Sequence, residues 1–123
     1  MYSERLLQHF QNPQRAGRLP VATAEVVVMN PACGDELRLG VRVKDGVVED
    51  AAFQVRGCTA SIACGSAMAE WLVGRSLAEI RGAQVEEEVE RGVDGLPEAS
   101  RHAAALCGDA VKKLLAAMAS GGV

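Results

Sequence analysis

The sequence predicts an α+β fold: a three-stranded antiparallel sheet with helices packed on one face. Three observations point there. Residues 25–56 hold three short β-rich segments separated by turn residues. The period changes at Gly57, after which Ala- and Ser-rich helical patterns continue to the end of the chain. Strands and helices are thus segregated along the sequence rather than alternating, which favours helices layered on one sheet face.

The first element is a short helix over Ser3–Gln11, capped by Ser3, with Leu6, Leu7 and Phe10 on one face and His9 at the surface. Asn12-Pro13 ends it, and "AGRLPVAT" reads as a linker. Glu25–Met29 is a β-branched strand. "DELRLGVRVK" alternates, with Leu37, Leu39, Val41 and Val43 on one face and Glu36, Arg38, Arg42 and Lys44 on the other. Asp45-Gly46 is a two-residue hairpin signal, and "VVEDAAFQVR" returns with Ala51, Phe53 and Val55 inward. "CTASIACGSAMAEWLVG" is a close-packed helix closed by Gly74. Ser76 and Glu79 form a capping box for another short helix. "QVEEEVERG" is a polar helical turn or two, with Glu86, Glu87 and Glu88 on a solvated face. The last helix spans Glu98–Ala119, with Leu106, Ala110, Leu114 and Met118 spaced for burial under the same layer as Trp71.

Composition narrows the function. A chain of 123 residues, 49% hydrophobic and without internal repeats, reads as one domain over residues 1–123. Net charge of −3, the absence of Lys/Arg runs and 3% aromatics argue against nucleic acid. No stretch approaches the roughly 20 apolar residues of a membrane span, and the charged N-terminal segment lacks a signal-peptide core. A reducing, cytoplasmic setting is expected, where four cysteines serve as metal ligands, redox groups or core residues rather than disulfides.

Cys33 and Asp35 lie in the turn "NPACGDELRLGV" that opens the second strand, and Cys58 follows Gly57 where the third strand gives way to a helix. In an antiparallel meander the start of strand two and the end of strand three share one end of the sheet, so the hairpin brings Cys33 and Asp35 near Cys58. His102, near the start of the last helix, can reach the same end. Thiolate, imidazole and carboxylate together suit Zn²⁺ or iron–sulfur species.

At these residues the sequence resembles the IscU/NifU-N iron–sulfur scaffold family. The resemblance runs through "YSERLLQHFQNPQRAG", "PACGD", "KDGVVEDAAFQVRGC", "SIACGSAMAEWLVGRSLAEI" and "LPEASRHAAALCGDAVKK". It implies a two-layer, IscU/SufE-like architecture and a non-enzymatic scaffold that builds a transient cluster, 2Fe–2S being the expected form, and passes it on. Cys33, Asp35, Cys58 and His102 match the family's ligand positions, and Zn²⁺ is an alternative occupant. Implied partners are a cysteine desulfurase and recipient apo-proteins or carriers. Two departures stand out. The family's cysteine after the histidine is replaced by Ala103, and Cys107 lies one helical turn further along. The Leu-Pro-Pro-Val-Lys motif read by a dedicated DnaK-type chaperone is here Leu96-Pro97-Glu98-Ala99-Ser100, which argues against that partner. Cys64 and Cys107 read as core thiols. The rival readings are a zinc-bound sulfur acceptor or regulator of a cysteine desulfurase, and a degenerate member that binds a partner without metal.

Overall fold

A computed structural model describes residues 1–32 and 34–120. The elements run α1 (Glu4–Gln11), β1 (Ala24–Met29), β2 (Glu36–Lys44), β3 (Val47–Arg56), α2 (Thr59–Leu72), α3 (Leu77–Gly82), α4 (Val85–Gly92), a 3-10 turn (Glu98–Ser100) and α5 (Arg101–Ser120). The strands form an antiparallel sheet in the order β1-β2-β3, as the alternating pattern predicts. Asp45 (φ 53°) and Gly46 (φ 75°) make the tight turn between β2 and β3, both in the left-handed region that such hairpins require.

Val26, Leu39 and Phe53 are cross-strand partners on the covered face, and all three are buried with Leu37 and Val41 beneath α2 and α5. On the opposite face Arg38 pairs with Glu25, and Arg42 with Glu49 and Asp50. Val43 departs from the predicted stripe and is only partly buried. The ladder shifts between Arg42, which faces Asp50, and Val43, which faces Val48. Glu49 is therefore an extra residue, a bulge that breaks the strict alternation, and beyond it Val48, the partner of Val43, takes the buried position.

α2 lies close to the sheet because its contact face is small. A Cβ on Gly65 would stand 2.6 Å from the Phe53 ring, inside any tolerable contact, and Ala60, Ala63 and Ala67 continue the same buried surface. Gly74 (φ 91°) closes the helix just past its Val73 C-cap, as expected of a C′ glycine.

The first helix needs correction. Its buried residues are Leu6 and His9, while Leu7 and Phe10 are exposed. Leu6 and His9 are three apart and share a helix face, and that face rests on α2. His9 is thus not a surface residue. Its Nδ1 lies 2.7 Å from Ser66 Oγ, which also accepts the Gln14 N–H. The Ser66 hydroxyl can accept the Gln14 N–H and at the same time donate its own proton to the bare Nδ1 of a neutral imidazole. Burial lowers the His9 pKa from its ordinary 6.5, outweighing the opposing charge of Glu70, and Arg5 adds to the lowering. The unfolded chain therefore takes up a proton that the folded chain resists. Stability contributed by neutral His9 is fully present above pH 6.5 and is lost as pH falls through the lower folded value. The denaturation midpoint should fall on acidification from 6.5 more steeply in wild type than in His9→Gln. Parallel pH profiles of the two proteins would show that His9 is not responsible.

The predicted linker also does structural work. Ala16 forms a parallel bridge with Phe53, the Gly17 N–H donates to the Phe53 carbonyl, and the Phe53 N–H donates to the Arg15 carbonyl. Near the other end of β3, Val48 exchanges backbone bonds with Gly74 and Arg75. The edge of β3 is thereby covered, which removes an open template for strand addition. In α4, Glu86 and Glu87 are exposed as predicted, but Glu88 is half-buried. It accepts from Trp71 Nε1 at 3.1 Å and pairs with Arg91.

Candidate metal centre

The ladder itself positions the site. Glu36 opens β2 opposite Arg56 at the end of β3. One step beyond each lie Asp35 and Gly57. Asp35 is two residues before Leu37, so by strand alternation its side chain points to the covered face, and it is buried. Space for the carboxylate comes from Gly57: a Cβ there would meet Asp35 Cγ at 2.7 Å and both carboxylate oxygens at 2.9 Å. The turn leading into β2 is held by Asn30, whose N–H donates to the Asp35 carbonyl and whose carbonyl accepts the Gly34 N–H, each at 2.8 Å. Gly34 adopts φ 77°, a conformation suited to glycine.

Cys58 is the N-cap of α2 and is exposed. Its sulfur is therefore delivered by the strand-to-helix transition itself. His102 is the second residue of α5 and half-buried. Its Nδ1 lies 3.2 Å from the Ala99 carbonyl. A carbonyl can only accept, so the proton belongs on Nδ1 and the Nε2 lone pair is left for the site. Cys58 Sγ lies 3.6 Å from Asp35 Oδ2 and 3.7 Å from His102 Nε2, and the last two atoms are 3.7 Å apart.

These separations have chemical meaning. Zinc bonds of about 2.3 Å to sulfur and about 2.0 Å to nitrogen or oxygen, at tetrahedral angles, put sulfur and nitrogen about 3.6 Å apart and nitrogen and oxygen about 3.3 Å apart. The three atoms already stand within a few tenths of an ångström of that arrangement. Among the described residues this is the group of donor atoms spaced to hold a metal ion. Cys33, the fourth residue singled out by the sequence, lies outside the described residues.

The remaining thiols are set apart by burial. Cys64 and Cys107 are in the core. Desolvation pushes the Cys64 thiol up to about 12, with the charges of Cys58 and Glu90 adding to the rise. Cys107 is raised well above its ordinary range by burial and then by Cys64. Neither offers a thiolate near neutral pH. Ala103 is also fully buried, and its methyl offers the site no donor atom.

Sequence reasoning missed Ser61. Its hydroxyl donates to Asp35 Oδ2 and lies 3.3 Å from Cys58 Sγ. The available signal was spacing: Ser61 is three residues after Cys58 and so shares its helix face. Among the described residues, no helix is long and apolar enough to cross a membrane.

The family described as NifU-like N terminal domain matches residues 1–120. The iron-sulfur cluster assembly scaffold protein IscU of Haemophilus influenzae is 38% identical over 122 residues, covering 94% of this chain and 93% of its own. The protein of the same name from Escherichia coli K12 is 37% identical over 122 residues, with 94% and 91% covered. Among solved structures, the N-terminal region of a nitrogen-fixing NifU-like protein from Brucella abortus superposes with a TM-score of 0.77 at 26% identity, covering 96% of this chain and 94% of that one.

Proposed function

Because the chain belongs to the NifU-like N-terminal domain family, we propose that it is a non-enzymatic scaffold on which an iron–sulfur cluster is assembled and from which it is transferred. The observation that carries this reading is the convergence of the Asp35, Cys58 and His102 donor atoms at tetrahedral spacing. Cys33 completes a set of two thiolates, one imidazole and one carboxylate. Iron in clusters is held best by thiolate, so this mixed set suits a transient 2Fe–2S cargo more than a permanent one. Access supports transfer: Asp35 is buried and orients the cluster from beneath, while Cys58 is exposed to an incoming protein. The partners that fit are a cysteine desulfurase supplying sulfur and apo-proteins or carriers receiving the cluster, in the cytoplasm. Of the chaperone motif only Leu96-Pro97 is kept, and Glu98–Ser100, which form the 3-10 turn, differ from it, which argues against a dedicated DnaK-type chaperone as a partner.

A second reading is favoured by one observation. The three described donors fit a single tetrahedral Zn²⁺ as well as cluster iron, and Ala103 stands where a third cysteine would enrich the site for iron. On that reading the protein is a zinc-bound sulfur acceptor or regulator of a desulfurase. Anaerobic incubation with ferrous iron, zinc, a cysteine desulfurase and excess cysteine, which is both the sulfur source and the thiol reductant that turns persulfide into sulfide, distinguishes the two. The scaffold reading expects sulfide-to-iron charge-transfer bands with equal iron and acid-labile sulfide. One zinc per chain, no chromophore and a persulfide on Cys33 or Cys58 by mass spectrometry would replace it with the second.

A further inference from the structure

We propose that Ser61 is a positioning residue of the metal centre, holding the Asp35 carboxylate at the point where Cys58 and His102 meet. This rests on the reading of those residues as ligands. Ser61 is nearly fully buried in the first turn of α2. Serines at that position commonly bond their own helix backbone. Here the hydroxyl instead donates to a carboxylate 26 residues earlier in the chain. The oxygen it holds is Oδ2, the same atom that stands 3.6 Å from Cys58 Sγ and 3.7 Å from His102 Nε2. A carboxylate oxygen can accept from more than one direction, so the bond from Ser61 is compatible with metal ligation by the same oxygen.

Packing alone does not call for serine. The neighbouring buried helix positions Ala60 and Ala63 are filled by alanine, and alanine is the better helix former. The hydroxyl is the one group of Ser61 that packing does not need, and both of its contacts are to residues of the metal centre. Gly57 supports the same seat from the sheet side by leaving its Cβ volume to the carboxylate.

Co²⁺ titration tests the assignment, because its visible d–d bands report ligand geometry and its sulfur charge-transfer band reports thiolate ligation. Wild type, Ser61→Ala, Asp35→Ala and the double variant are compared, with the cycle repeated on Asp35→Asn so that poor folding of one Asp35 variant does not remove the test. Circular dichroism of each metal-free protein checks the fold. Ser61→Ala should weaken Co²⁺ binding by about tenfold, the lower end of effects from residues that orient ligands. It should shift the d–d bands and keep the sulfur band. In either Asp35 variant the same substitution should change affinity less than about twofold, the non-additivity expected of two groups acting as one unit. Wild-type affinity and spectrum in Ser61→Ala would overturn the proposal, as would a full tenfold loss in the Asp35 backgrounds. If wild type and Cys58→Ala bind Co²⁺ alike, the ligand assignment itself fails, and the proposal with it.

Discussion

Cys58→Ala should reduce the affinity for zinc or ferrous iron by more than about 100-fold, beyond the 10- to 100-fold typical of groups that only orient a ligand. Of the three described donor atoms that converge, Cys58 supplies the sulfur. Its removal leaves an imidazole and one carboxylate oxygen from this part of the site, a set far poorer in the soft donor that zinc and cluster iron prefer. The substitution is benign for the fold. Cys58 is exposed and its side chain makes no capping bond to the α2 backbone, and surface changes of this kind usually shift stability within about 0.5 kcal/mol. Competition with a chromophoric chelator measures the affinity, and Cys64→Ala serves as a control because that thiol is buried. Undiminished binding by Cys58→Ala would remove the metal centre from this end of the sheet.

Ala103→Cys should lengthen the lifetime of a reconstituted cluster about tenfold, equivalent to about 1.4 kcal/mol on the barrier to loss. Cys107→Ala should leave that lifetime unchanged. Ala103 directly follows His102 at the start of α5, and a thiolate there adds a soft donor beside an existing one. Cys107 is four residues on, about 6 Å along the helix. Bringing it to the site means sliding α5 by about a turn, which would pull Leu106 and Ala110 from the core, where both are buried. Exposing a leucine side chain alone costs about 1.5–3 kcal/mol. Cys107 is also held as a protonated thiol by its burial. The measurement is anaerobic decay of the chromophore after adding a chelator. Rapid cluster loss in a folded Cys107→Ala protein would make Cys107 a ligand and refute this account of α5.

The order of elements and the covered faces of β2, up to Val41, and of β3 were legible in the chain itself. Period-2 alternation in β2, the Asp45-Gly46 turn and the small-residue run of α2 each have a local cause, so no partner is needed to read them. The meeting of Asp35 with Cys58 was legible because antiparallel strands joined by a hairpin place the start of β2 and the end of β3 at one end, although the extra residue Glu49, which shifts the register by one, was not. The alanine at 103, where the family resemblance implies a cysteine, is also read from the sequence.

What the sequence left open are the contacts between separate elements. Which face of α1 is inward depends on Ser66 in α2 offering His9 a partner, and hydrophobicity alone selects Leu7 and Phe10 instead. Glu88 is drawn in by Trp71, seventeen residues away. Ser61 reads as one more small packing residue until α2 is laid over the start of β2 and its hydroxyl meets Asp35. The approach of His102 Nε2 to within 3.7 Å of both other donors depends on where α5 begins and on the Ala99 carbonyl that orients the ring. Local sequence determines backbone conformation and which side of an element is apolar, because those preferences act within a few residues. A buried polar group needs a partner wherever the chain can bring one, and only the assembled tertiary structure decides which residue that is.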